Sequence, residues 1–131
     1  MARVVAVDFD GVLAEMVPTY DAAPPRPRPG ARRLLQALKR AGWRVLIWSA
    51  RANRALRFNH DLDPLGLAAR RHPDHALEQA RYRAMVDCCE REFAGLYDAI
   101  DDGAQGKPEV SYYIDDRALR PEDALYRIGE P

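Results

Sequence analysis

The apolar positions of this chain follow two different periods. Residues 4–9, "VVAVDF", are apolar and mostly β-branched apart from the acid at Asp8, the pattern of a strand buried on both faces. From residue 31 the period becomes helical. Ala31, Leu34, Leu35, Leu38 and Ala41 make one face, Arg32, Arg33, Gln36, Lys39 and Arg40 fall off it, and Gly42 stops the run. Residues 44–48, "RVLIW", read as a second buried strand. Strand, helix and strand in this order predict a βαβ unit with parallel strands and a right-handed crossover.

The pattern continues less regularly. A short helix is expected over 51–58, an irregular stretch with prolines and a glycine over 59–75, and a long helix from about 74 to 93. "LYDAI" (96–100) is a short strand candidate and "VSYYI" (110–114) another, with a loop between them. A short amphipathic helix starts near Pro121. There are no internal repeats. The expectation is one domain over 1–131, α/β in class: a three-layer Rossmann-like fold around a parallel sheet of four to five strands.

Composition narrows the function classes only a little. The chain has 131 residues, 47% apolar and 31% charged, with a formal net charge of zero, so bulk electrostatics gives no support for a polyanionic partner. Only two of its twenty basic residues are lysines, Lys39 and Lys107, which makes each of them worth following. The two cysteines, Cys88 and Cys89, are adjacent, and neighbours rarely close a disulfide with acceptable geometry. They read as buried thiols of a reducing compartment, and His60, His72 and His75 have no zinc-like spacing with them. With no leader pattern and no apolar run near the ~20 residues of a membrane span, a cytoplasmic protein without membrane partners is expected.

The chemistry gathers where an open parallel sheet places its crevice, beyond the carboxyl ends of the strands. The first strand brings Asp8 and Asp10 there, and the second brings Ser49. The loop before the last strand brings Lys107, and that strand brings Asp115 and Asp116. Any one of these residues is ordinarily a turn, a cap or a solvated loop residue. Three strand ends and one loop carrying them together are harder to explain that way. Close carboxylates repel unless a cation neutralises them, and hard oxygen ligands suit Mg²⁺. An ionised Asp8 can attack phosphorus, Asp10 can move the proton, and Ser49 and Lys107 can hold phosphoryl oxygens.

These residues resemble a known family. "DFDGVLA" is similar to motif I of the haloacid dehalogenase (HAD) superfamily, "LIWSA" to motif II, and "GKPEVSYYIDDRAL" to motifs III and IV together. The resemblance spans residues 4–118 in the family's order. It implies a small phosphatase-like member in which Asp8 is the nucleophile, Asp10 the acid/base, and Ser49 and Lys107 the phosphate clamps. It further implies Mg²⁺ held by Asp8, Asp115, the backbone carbonyl of Asp10, and Asp116 directly or through water.

Asp10 points within the family to phosphomonoester hydrolysis, because dehalogenases have a halide leaving group that needs no proton. The short stretch between Asp10 and Ser49 leaves no room for a large cap domain. An open site suits bulky phosphorylated substrates, and 3′- or 5′-phosphorylated polynucleotide ends stay among them although the net charge does not favour them. A neighbouring subunit could also wall such a site, so a homo-oligomer is among the expected partners. Arg51 and Arg117 flank the acids as substrate-anion binders or ion-pair partners. Residues 59–75, with Arg70, Arg71 and His72, read as a surface connection or a small lid. Two alternatives remain: a HAD-fold interaction or regulatory protein with weak activity, and a receiver-like phospho-accepting module with Asp101 as acceptor.

Overall fold

The computed structural model describes residues 3–16, 19–56, 75–103 and 109–116. The element order is β1 (Val4–Asp8), α1 (Ala31–Arg40), β2 (Arg44–Trp48), α2 (Ala50–Leu56), α3 (His75–Glu92), β3 (Ala99–Ile100) and β4 (Tyr112–Ile114). The strands form one sheet in the order β3-β2-β1-β4, and every pairing is parallel. This is a Rossmann-like α/β fold, a four-stranded parallel sheet flanked by helices. The expected elements appear with boundaries moved by at most three residues; the helix expected near Pro121 lies outside the described residues.

The sheet is built around β1. Val5, Ala6 and Val7 are all buried, as the uninterrupted apolar run requires of a strand covered on both faces. Val5 and Val7 join Val45 and Ile47 of β2 in the core, where α1 packs through Ala31 and Leu35 and α3 through Met85, Cys88 and Cys89. Arg32 on α1 donates to the Glu92 carbonyl at 2.5 Å, tying the ends of these helices together. Phe9, the first residue after β1, is fully buried.

Helix α1 follows its sequence pattern closely. Gly30 caps its start in a left-handed conformation with φ 86°, a region where glycine avoids the cost a side chain would add. Lys39 and Arg40 occupy the last turn, where cations complement the helix dipole. Lys39 has a structural task. Its Nζ donates to both carboxylate oxygens of Asp98, at 2.9 and 2.8 Å, and Asp98 also accepts the Val45 N–H at 2.7 Å. That carboxylate fastens α1 and the start of β2 to the entry of β3, and the Lys39 and Val45 bonds hold its pKa below the ordinary value.

Leu35 is fully buried between α1 and the sheet. Leu35→Ala should lower the unfolding free energy by about 2–5 kcal/mol, measurable as a lower urea midpoint at unchanged m-value.

Candidate functional site

The strand order determines where a site can form. From β1 the chain moves to β2 on one side, while β4 returns on the other side of β1. The crevice at such a switch point, beyond the carboxyl ends, is where doubly wound sheets bind ligands. The register sharpens this. Val7 pairs with Ile114, so the next residues on the two strands are Asp8 and Asp115. Oxygens of Asp8, Asp115 and Asp116 all lie within 4.8 Å of one another.

A tight turn holds the residues after β1. The N–H groups of Leu13 and Ala14 donate to the Phe9 carbonyl at 3.0 and 2.9 Å, and Gly11 donates to Ala14 at 2.8 Å. Arg28 braces the turn from outside by donating to the Gly11 carbonyl. Gly11 has φ 90°, and a Cβ there would sit 2.3 Å from Oδ2 of Asp116. The missing side chain therefore has two causes: the backbone conformation, and the Asp116 carboxylate packed where Cβ would be.

Burial pushes Asp8 up to about 7, reinforced by the charges of Asp115, Asp116 and Asp10, and a backbone hydrogen bond from Phe9 only partly opposes the rise. Two carboxylates, Asp115 and Asp116, beside the half-buried Asp8 make a donor set of hard oxygens that fits a divalent cation such as Mg²⁺.

Asp10 is handled differently. Its two oxygens accept from Nε and Nη2 of Arg51 at 2.9 and 2.8 Å in a fork-on-fork pair. Arg51 is 4% exposed and also donates from Nη1 to the Arg81 carbonyl at 2.9 Å. Its guanidinium lies 5.4 Å from the centre of the Phe9 ring. Of the two roles considered for Arg51, ion pair and substrate binder, the ion pair is the one seen, and it is buried rather than superficial. With both carboxylate oxygens engaged by Arg51, Asp10 is not among the three clustered acids, so any cation contact from this residue would fall to its backbone carbonyl. Ser49, buried at the end of β2, accepts the Arg51 N–H on Oγ at 3.1 Å.

These residues share one cavity of about 500 Å³, lined by Asp8, Asp10, Ser49, Arg51, Asp115 and Asp116 among others. Lys107 and Arg117 lie outside the described residues, as does all of the suggested lid except His75. Asp101 stands apart at the end of β3, which pairs with β2 and not with β1. Burial raises its pKa, and its Oδ2 has no hydrogen-bond partner among the described residues.

Sequence reasoning missed the far wall of the cavity. Tyr20 and Arg54 line it together with Arg81. Arg81 and Glu78 are both buried, on the same stripe of α3 as Met85 and Cys88. Two charged residues continuing a buried stripe at helical spacing were the available signal.

No family model matches this chain, and no curated protein matches it. A crystal structure of a target from Vibrio cholerae superposes with a TM-score of 0.50 at 24% sequence identity, covering 92% of this chain and 85% of that one. At that identity the likeness concerns the fold.

Two expectations follow from the geometry. Because Asp8 titrates near 7 when folded and near 3.8 when unfolded, the folded state binds the extra proton between these values. Without bound cation, stability should fall as pH rises from 4 to 7. Asp8→Asn should remove this slope and stabilise the metal-free protein at pH 8, by about 1–2 kcal/mol after allowing for solvent screening of a half-exposed group; denaturation at pH 5 and pH 8 measures it. Gly11→Ala should displace the Asp116 carboxylate and cost about 1 kcal/mol or more in backbone strain alone, seen as a lower melting temperature.

Proposed function

We propose that the protein is a Mg²⁺-dependent phosphomonoester hydrolase of the HAD type, working through an aspartyl-phosphate. The observation that carries this reading is the separation of roles among the acids. Asp8 sits in a group with Asp115 and Asp116, while Asp10, two residues on, is held apart by Arg51. A nucleophile beside a cation site and a separately oriented proton carrier are what a two-step phosphoryl transfer needs.

In the first step a carboxylate oxygen of Asp8 forms a bond to phosphorus as the ester P–O bond breaks. The leaving alkoxide takes a proton from Asp10. In the second step water attacks the phosphorus of the aspartyl-phosphate, Asp10 takes its proton, and Asp8 leaves as a carboxylate with inorganic phosphate released. Arg51 holds Asp10 as a carboxylate for the second step; in the first, the protonated acid keeps its place through the Arg51 bond to its other oxygen. Ser49 Oγ accepts from the backbone, which leaves its hydroxyl hydrogen to donate to a transferring oxygen, and Lys107 would add a positive charge there by the motif resemblance. Asp8, Asp115 and Asp116 would hold Mg²⁺, which supplies charge neutralisation for the approach of one anion to another.

The receiver-like alternative has less support. Its acceptor, Asp101, lies at the end of β3, separated from β1 by β2, and the three-acid group among the described residues does not include it.

The reading predicts hydrolysis of p-nitrophenyl phosphate that requires added Mg²⁺ and stops on chelation. Asp8→Asn should abolish turnover, and Asp10→Asn should lower kcat by about 10²–10⁴-fold. Turnover that survives in Asp8→Asn, or that ignores the metal, would sink it.

A further inference from the structure

The cavity has two chemically different walls. The strand ends supply Asp8, Asp115 and Asp116, whereas α2 and α3 supply Arg51, Arg54 and Arg81. Arg51 is committed to Asp10 and to the Arg81 carbonyl. The other two arginines are organised around Tyr20.

Arg81 is 8% exposed and lies 3.7 Å over the centre of the Tyr20 ring. Its Nη1 donates to the Asp21 carbonyl at 3.0 Å, while its Nε is buried without a hydrogen-bond partner among the described residues. Arg54 is exposed, and its Nη1 donates to the Tyr20 hydroxyl at 2.8 Å. That hydroxyl in turn donates to the buried Glu78. The Arg54 guanidinium also rests 5.4 Å from the Tyr20 ring centre.

An exposed arginine ordinarily samples many rotamers, and holding one costs entropy that a ligand must otherwise supply. Here the holding group is a phenol rooted in a buried carboxylate, so Arg54 is positioned at the cavity wall by a partner that does not itself neutralise it. Glu78 is beneath the phenol, and the Asp21 carboxylate accepts from the Thr19 hydroxyl and the Ala23 N–H, at 2.8 and 3.0 Å. A preset fork of N–H donors lining the same cavity as a phosphoryl-transfer centre suits a second anionic group.

We propose that this wall is a second anion subsite, and that the substrate is a small phosphomonoester carrying a further phosphate or carboxylate, received by Arg54 while the ester phosphate lies at Asp8. This rests on the phosphatase reading of the same cavity. The volume of about 500 Å³ falls in the range of small-molecule sites.

The test compares kcat/KM for 3-phosphoglycerate and fructose 1,6-bisphosphate with kcat/KM for glycerol phosphate, in the wild-type chain and in Arg54→Gln. The wild type should prefer at least one ester with a second anionic group. Arg54→Gln should lower that preference at least tenfold, and Tyr20→Phe should lower it less, in the same direction. The two arms with a second anionic group distinguish a carboxylate from a second phosphate. An unchanged preference in Arg54→Gln, or no preference in the wild type, overturns the subsite. If no ester is hydrolysed the phosphatase reading fails. Titration calorimetry of the same three compounds then decides the subsite alone: tighter binding of an ester with a second anionic group that Arg54→Gln weakens at least tenfold supports it, and no such difference overturns it.

Discussion

Electrostatic repulsion at the ends of β1 and β4 is the constraint around which the rest of the structure is arranged. Adjacent parallel strands lie about 4.8 Å apart, so a register that sets Asp8 beside Asp115 forces charge against charge whatever the side chains do. The sheet tolerates this because β1 is fixed by burial along its length, with Val5, Ala6 and Val7 all in the interior. It also tolerates it because the turn after β1 is closed by the Phe9 carbonyl. Burial, with this repulsion added to it, pushes the Asp8 carboxyl up to about 7. A scaffold stable enough to hold an unfavourable arrangement is a common property of sites that do chemistry.

Arg51 resolves the remaining conflict. A fourth carboxylate close to the other three would add to the repulsion, yet Asp10 is fully paired in a mostly buried fork. The same guanidinium reaches α3 through the Arg81 carbonyl, so one side chain links the turn after β1, the start of α2 and the middle of α3. Its position two residues after Ser49 couples the end of β2 to Asp10 in the turn after β1.

The β-α-β order, the parallel sheet and the strand-end acids were legible because they rest on short-range patterns. Apolar runs of the right length at 4–9 and 44–48, a clean helical face over 31–41, and acids placed directly after strands each report on their own neighbourhood. The partner of Asp10 was less legible, since choosing between Arg51 as an ion pair and Arg51 as a ligand contact requires knowing what lies 41 residues away. The Tyr20, Glu78, Arg81 wall was hidden for a different reason. Tyr20 sits in an irregular proline-rich stretch without period, and α3 carries its polar and apolar buried residues on one stripe, which weakens the amphipathic signal. Phe9, the last residue of the apolar run at 4–9, is core as that run implies.

The adjacent cysteines show what the wide buried arc near the end of α3 entails. Cys88 and Cys89 are both fully inaccessible, and burial pushes the Cys89 thiol up to about 12 and raises Cys88 as well. Neither presents a thiolate to solvent at neutral pH, and they are the chain's whole complement of sulfhydryls. Alkylating reagents therefore gain access only when α3 parts from the sheet. The native chain carries its own clock for that opening, and a cysteine engineered on the surface would be the sole position that a fluorophore or spin label marks in the folded protein.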